Sequence, residues 1–107
     1  MQIIENTKYK RDIKKLQKKH MIKELKIIDE ICEFISIFNN MKELISNDIS
    51  KIYGIEKKKG NLKDIYTARV NSKIRMYIRP LGEYPYDLEK IEIVELVEID
   101  DKHYGEG

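Results

Sequence analysis

Two arginines and one histidine are the residues of this 107-residue sequence whose types best suit chemistry on an anionic substrate. Arg69 and Arg75 lie six positions apart, and His103 lies near the end of the chain, beside Tyr104. A guanidinium presents a fixed fork of N–H donors to phosphate oxygens, and an imidazole gains or loses a proton near neutral pH. The arginines are therefore candidates for stabilising negative charge, His103 for proton transfer, and Tyr104 for contact with a base or a phosphate.

The stretch from Leu62 to Arg79 is predicted to be a β-hairpin that places both arginines on one face. A two-residue loop would mix charged and apolar side chains on both faces, whereas a three-residue loop at Asn71-Ser72-Lys73 sorts them. In that register Arg69 faces Arg75. The apolar cross-strand pairs are Val70 with Ile74, Ala68 with Met76, and Tyr66 with Ile78. The polar face, shaped for a polyanion, carries Lys63, Thr67, Arg69, Lys73, Arg75, Tyr77 and Arg79.

A helical hairpin is predicted upstream, where it would cover one face of the sheet. Gln2 to Glu5 suits an edge strand, and Asn6-Thr7 suits a helix cap. Apolar residues at helical spacing predict a first helix from Thr7 to about Lys19 and a break near His20. A second, core helix follows, with an apolar stripe from Ile22 to Phe38. The short connection makes the two helices antiparallel.

The remaining segments complete an α+β fold. Met41 to Tyr53 suits a short third helix or a packed loop, and the residues numbered 57–61 suit a basic turn into the hairpin. Ile91 to Ile99 is apolar on both faces, which places it in the middle of the sheet. Glu95 then falls on an apolar face unless a bulge rotates it outward. Simple alternation separates Ile91, Ile93, Val97 and Ile99 from Val94 and Leu96. We expect a small, mainly antiparallel sheet of about four strands.

Length, charge and cysteine content limit the class of protein. A chain of 107 residues predicts one domain, residues 1–107. No apolar run approaches the roughly 20 residues that span a bilayer, so we expect a cytoplasmic protein with no membrane partner. Cys32 is the only cysteine, which excludes an intramolecular disulfide, and its helical stripe predicts a buried hydrophobe. No carboxylate cluster suited to Mg²⁺ lies near the basic face, so no metal or other cofactor is expected.

Basic residues are concentrated in two segments, although the formal net charge is only +2. One segment runs from Thr7 to Lys26, and the other from Lys57 to Arg79; the chain after Pro80 is mainly acidic. Local basic fields of this kind attract nucleic acid, although solvated surfaces also account for them. The candidates for RNA contact in the second segment are Lys57, Lys58, Lys59, Lys63, Lys73 and Arg79.

Four segments follow one another along the chain: DIKKL at 12–16, IYTARV at 65–70, KIRMYI at 73–78 and EIDDKHY at 98–104. Their order and spacing resemble the RelE/ParE superfamily of toxins from bacterial type II toxin–antitoxin systems. The resemblance covers nearly the whole chain and implies a RelE-like fold. It also implies that Arg69, Arg75, His103 and Tyr104 are catalytic in a metal-independent cleavage of messenger RNA by the ribose 2′-hydroxyl.

The resemblance further implies specific partners. These are messenger RNA in the ribosomal A site, ribosomal RNA against the basic helix and lysine turn, and an antitoxin in a toxin–antitoxin hetero-oligomer. His103 and Tyr104 match the YoeB-like and HigB-like branches. RelE proper has lysines on the first hairpin strand, where this chain has Thr67 and Arg69, and Glu56 is only a weak counterpart of the glutamate base of the YoeB-like branch.

Two other functions stay open on the sequence. ParE-like members resemble this chain in the helical hairpin but poison DNA gyrase, and the pair His103 and Tyr104 argues against that branch. A non-catalytic RNA-binding module would need base-stacking aromatic residues on the polar sheet face, where only Tyr77 lies.

Overall fold

The computed structural model describes residues 1–58 and 64–101. Within these ranges the chain forms a five-stranded sheet and four α-helices. The strands are β1 (Gln2–Glu5), β2 (Glu56–Lys57), β3 (Tyr66–Arg69), β4 (Arg75–Pro80) and β5 (Ile93–Asp100). The helices are α1 (Thr7–Lys18), α2 (Ile22–Ser36), α3 (Met41–Ser46) and α4 (Ile49–Ile52), and a 3₁₀ helix spans Leu88–Lys90.

The predicted helical hairpin is confirmed. The Asn6 side chain caps α1 by accepting a hydrogen bond from the Tyr9 amide at 2.8 Å. His20 has a φ of 56°, a left-handed conformation that ends the first helix before α2 begins. The segment after α2, predicted as one short helix or a loop, forms the two short helices α3 and α4.

The sheet has the strand order β1-β5-β4-β3-β2. Strand β5 is an interior strand, as its two apolar faces predicted; it pairs in parallel with β1 and antiparallel with β4. The sheet has five strands where about four were expected. The additional strand is β2, in which Lys57 pairs with Tyr66 in a segment predicted to be a turn. Two residues are too few to show a strand periodicity in the sequence.

The register of the hairpin formed by β3 and β4 is the predicted one. Arg69 faces Arg75, Ala68 faces Met76, and the Val70 amide donates to the Ile74 carbonyl at 3.0 Å. Ala68, Met76 and Ile78 are fully buried in one hydrophobic core with residues of α1 and α2, including Leu16, Ile31 and Ile35. The burial of one face fixed this register, because a slip of one residue would have exposed the whole apolar set.

The alternation predicted for the last strand is wrong beyond Leu96. Tyr77 faces Glu98 while its neighbour Ile78 faces Leu96, so Val97 is an extra residue that forms a β-bulge. Ile99 therefore joins Val94 and Leu96 in the core instead of lying with Ile93. The bulge does not explain Glu95, which precedes it and pairs with Arg79 at 3.4 Å.

Asp12 of α1 completes the hydrogen bonding of β5 where β1 has ended. The last residue of β1, Glu5, faces Leu96, and the Ile99 amide donates instead to the Asp12 carboxylate at 3.0 Å. Asp12 is 7% exposed and also pairs with Lys8 at 3.2 Å. A helix side chain thus replaces a missing strand, which satisfies a buried amide. No helix in the described ranges is long and apolar enough to cross a membrane.

Asp12→Ala should lower the free energy of unfolding by about 1–3 kcal/mol, because it leaves the buried Ile99 amide without an acceptor. Lys8→Ala is the control. It removes a half-exposed side chain that pairs with the same carboxylate and with Glu98, and it should cost less than about 1 kcal/mol. Urea unfolding measures both values. Equal losses for the two variants would contradict a special role for the Asp12–Ile99 bond.

Candidate active face

The cross-strand register collects a set of charged side chains on the sheet face opposite the core, here called the arginine face. Facing residues of paired strands project to the same side of a sheet, so the register identifies them. The row nearest the hairpin turn is Arg69, Arg75 and Asp100. The next row is Glu56, Thr67, Tyr77 and Glu98, and Arg79 and Glu95 follow.

Arg75 is held by the hairpin turn. Its Nη1 donates to the Asn71 carbonyl at 2.5 Å and to the Ile74 carbonyl at 3.2 Å. The side chain is partly buried, and its orientation is therefore set before any ligand arrives. A cation held in this way can stabilise negative charge on a bound group without a reorganisation cost.

Arg69 is exposed and lies against the turn that follows α4. Its amide donates to the Tyr53 carbonyl at 2.6 Å. Gly54, with a φ of +61°, lies directly beside its side chain: a Cβ atom on Gly54 would be 3.1 Å from Arg69 Cβ and 3.4 Å from Arg69 Cζ. Glycine is favoured here both by the left-handed backbone and by the close approach of the guanidinium.

Tyr77 and Asp100 form a buried pair next to the two arginines. The Tyr77 hydroxyl donates to Asp100 Oδ2 at 2.6 Å, and the side chains are 8% and 6% exposed. Burial, followed by the hydrogen bond to Asp100, raises the pKa of Tyr77 well above its ordinary value. The Lys58 ammonium lies 5.3 Å from the Tyr77 ring centroid. The Tyr77 ring is therefore covered and not presented for stacking on a nucleic-acid base.

The predicted RNA-contact residues do not all share the arginine face. Lys57 faces Tyr66, whose ring is in the core, so Lys57 belongs to the opposite side and lies 5.2 Å from the Tyr84 ring centroid. Arg79 is on the arginine face but pairs with Asp64 at 3.8 Å and Glu95 at 3.4 Å. Lys73 lies in the hairpin turn. Lys59, Lys63, His103 and Tyr104 lie outside the described residues.

Glu56 was predicted from the sequence only as a weak counterpart of a glutamate base. The short strand β2 places it opposite Thr67 and so on the same face as Arg69 and Arg75. It is exposed, and its carboxylate is a candidate proton acceptor. Its register could not be predicted because strand β2, which fixes it, was not predicted.

Two other kinds of chemistry receive no support from the described residues. In the ranges 1–58 and 64–101, no three His, Cys, Asp or Glu side chains are grouped as metal ligands. Cys32 is partly buried, with its Sγ 4.0 Å from the Tyr9 hydroxyl. Burial raises the pKa of the Cys32 thiol to about 11, so it is protonated at neutral pH and is a poor nucleophile.

Tyr77→Phe should make stability less dependent on pH above about 10. The pKa of Tyr77 is higher in the folded state than in the unfolded chain, so its contribution is complete below pH 10 and is lost as the pH rises above that value. One such group adds a slope of at most about 1.4 kcal/mol per pH unit. Urea unfolding at pH 7, 10 and 11 measures it, and an unchanged slope in Tyr77→Phe would contradict the assignment.

Solved structures resemble this chain, although neither a protein-family model nor a curated protein sequence matches it. A YoeB/ParE toxin from Agrobacterium tumefaciens has a TM-score of 0.63 at 12% identity, over 94% of this chain and 98% of that one. YafQ from E. coli strain BL21(DE3) has a TM-score of 0.56 at 16% identity, over 94% and 91% of the two chains. A chain of the E. coli DinJ-YafQ toxin–antitoxin complex has a TM-score of 0.58 at 15% identity, over 98% and 96%.

The Agrobacterium structure is described as a YoeB/ParE toxin, and the DinJ-YafQ structure as a toxin–antitoxin complex. This chain has the fold of these structures, which confirms the RelE-like fold implied by the sequence resemblance. At 12–16% identity the likeness concerns the fold.

Proposed function

We propose that this protein is the toxin of a type II toxin–antitoxin system, a single-domain endoribonuclease that cleaves messenger RNA without a metal ion. The observation that supports it best is the pair of facing arginines, Arg69 and Arg75, on a rigid hairpin. Strand β5 ends at Asp100, directly across from Arg75. In the sequence, His103 and Tyr104 follow that strand end by only three and four residues.

In the proposed reaction, a ribose 2′-hydroxyl attacks the adjacent phosphorus after losing its proton to a base. The 5′-oxygen leaves with a proton from an acid, and the products are a 2′,3′-cyclic phosphate and a 5′-hydroxyl. The phosphorane that forms between these steps carries extra negative charge. Arg69 and Arg75 would stabilise it, because guanidinium groups donate two N–H bonds to phosphate oxygens.

Two groups are candidates for proton transfer. His103 is suited to be acid or base near neutral pH. Glu56, which the register places on the arginine face, is suited to be the base, which would leave the acid role to His103. Tyr104 would contact a base or phosphate of the substrate. Lys58 and Lys73, and the lysines numbered 59 and 63, would hold the RNA backbone.

The proposed partners follow from the charge distribution. The six basic residues of α1, against Asp12 as its one acid, suit ribosomal RNA, and an antitoxin with an acidic segment would cover the arginine face in a hetero-oligomer. The solved E. coli complex is titled a toxin–antitoxin complex, which supports this assembly by analogy of fold. The proposed location is the cytoplasm, where ribosomes translate bacterial messages.

Arg75→Ala and His103→Ala should each lower messenger RNA cleavage by at least about a hundredfold when the protein is induced in a bacterium. Loss of one group that stabilises the transition state costs about 3 kcal/mol, or roughly a hundredfold in rate. Primer extension on a defined message measures the cuts, which should be phased with codons if cleavage occurs on the ribosome. Lys42→Ala is the control, because Lys42 is an exposed cation on α3 that pairs with Glu89.

The same experiment tests the alternatives. DNA breaks with intact messages would overturn the proposal in favour of a gyrase inhibitor. Retention of messenger RNA without cleavage would favour a non-catalytic RNA-binding module. The burial of Tyr77 weakens that last alternative, since Tyr77 was its candidate stacking residue.

A further inference from the structure

We propose that Asn71 is a positioning residue that aims Arg75 at the substrate phosphate. This inference rests on the proposed ribonuclease function for its substrate, although the contact on which it depends lies within the hairpin itself. Asn71 would not touch the RNA. It would act by fixing which N–H bonds of Arg75 remain available to a phosphate.

The Asn71 side chain organises the hairpin turn. Its Oδ1 accepts hydrogen bonds from the amides of Lys73 and Ile74, both at 2.8 Å. Asparagine is favoured at this position because its short side chain can satisfy amides two and three residues ahead. With the turn closed in this way, the Asn71 main-chain carbonyl is left to accept from Arg75 Nη1 at 2.5 Å.

The two turn carbonyls account for both N–H bonds of Arg75 Nη1. One contact goes to Asn71 and the second to the Ile74 carbonyl at 3.2 Å. A guanidinium has five N–H bonds, so the Nε and Nη2 donors remain. The Nε–H and the adjacent Nη2–H form the side-on fork that binds two oxygens of one phosphate. The turn therefore selects one edge of the guanidinium for the substrate.

The carbonyl contacts also offset a repulsion. Arg75 faces Arg69 directly across the hairpin, and like charges in facing positions repel each other. The hydrogen bonds to the Asn71 and Ile74 carbonyls hold the Arg75 cation in place beside this like-charged neighbour.

Asn71→Ala should lower the single-turnover cleavage rate about 10- to 100-fold at saturating RNA, with little change in RNA affinity, because a misaligned group loses most of its effect in the transition state. Asn71→Asp keeps the acceptor oxygen and should restore most of the rate. Ser72→Ala, an exposed position in the same turn, is the matched control. In an Arg75→Ala background, Asn71→Ala should cause no further loss, since Asn71 acts through Arg75.

Arginine side-chain NMR of the free protein tests the contact without any assay of activity. In the wild type, the Nη1 hydrogens of Arg75 should give separate resonances because rotation about Cζ–Nη1 is hindered; in Asn71→Ala they should average. If the wild type cleaves no RNA, the proposed function is overturned. The spectrum still shows whether the hairpin turn holds Arg75. A full cleavage rate in Asn71→Ala, a mobile Arg75 in the wild type, or an equal further loss in the Arg75→Ala background would each overturn the inference.

Discussion

The hydrogen bond from the Ile99 amide to the Asp12 carboxylate joins the helical layer to the sheet at the point on which the candidate site depends. Strand β1 supports only the first half of β5, and a carboxylate from α1 continues that support for the second half. Asp100 lies at the end of β5, where it accepts a hydrogen bond from Tyr77 and faces Arg75. This contact between α1 and β5 thus supports the strand that pairs with the arginine-bearing strand β4.

Two like charges, Arg69 and Arg75, face each other in the hairpin, and both side chains lie against neutral backbone groups. Arg75 rests on backbone carbonyls and Arg69 rests against Gly54, while Arg79, farther along β4, is neutralised by two carboxylates. The hairpin turn thus holds Arg75 in place, whereas Arg79 contributes to the structure of the sheet. Such an arrangement suits a site that must receive an anion without first rearranging.

The features that burial determines could be predicted from the sequence, whereas those that depend on hydrogen bonding alone could not. The register of β3 and β4 followed from sorting apolar and charged residues, and the helical hairpin followed from periodicity. Strand β2 was missed because a pair of residues such as Glu56 and Lys57 carries no periodic signal, and the faces of these two residues went unassigned with it. The contacts of Arg75 with the turn depend on rotamers and carbonyl directions, which residue types do not encode.

The bulge at Val97 reverses the alternation of side chains between the two faces of β5. Before it, odd-numbered positions such as Glu95 lie on the arginine face; after it, even-numbered ones such as Asp100 do. Because the bulge adds one residue, every residue after it lies on the opposite face from the one that simple alternation predicts. A regular strand that kept Val97 would turn Ile99 toward the arginines and Asp100 into the core, whereas deletion of Val97 would leave both on their present sides. The bulge is thus as much a determinant of this face as the identity of the residues in β5.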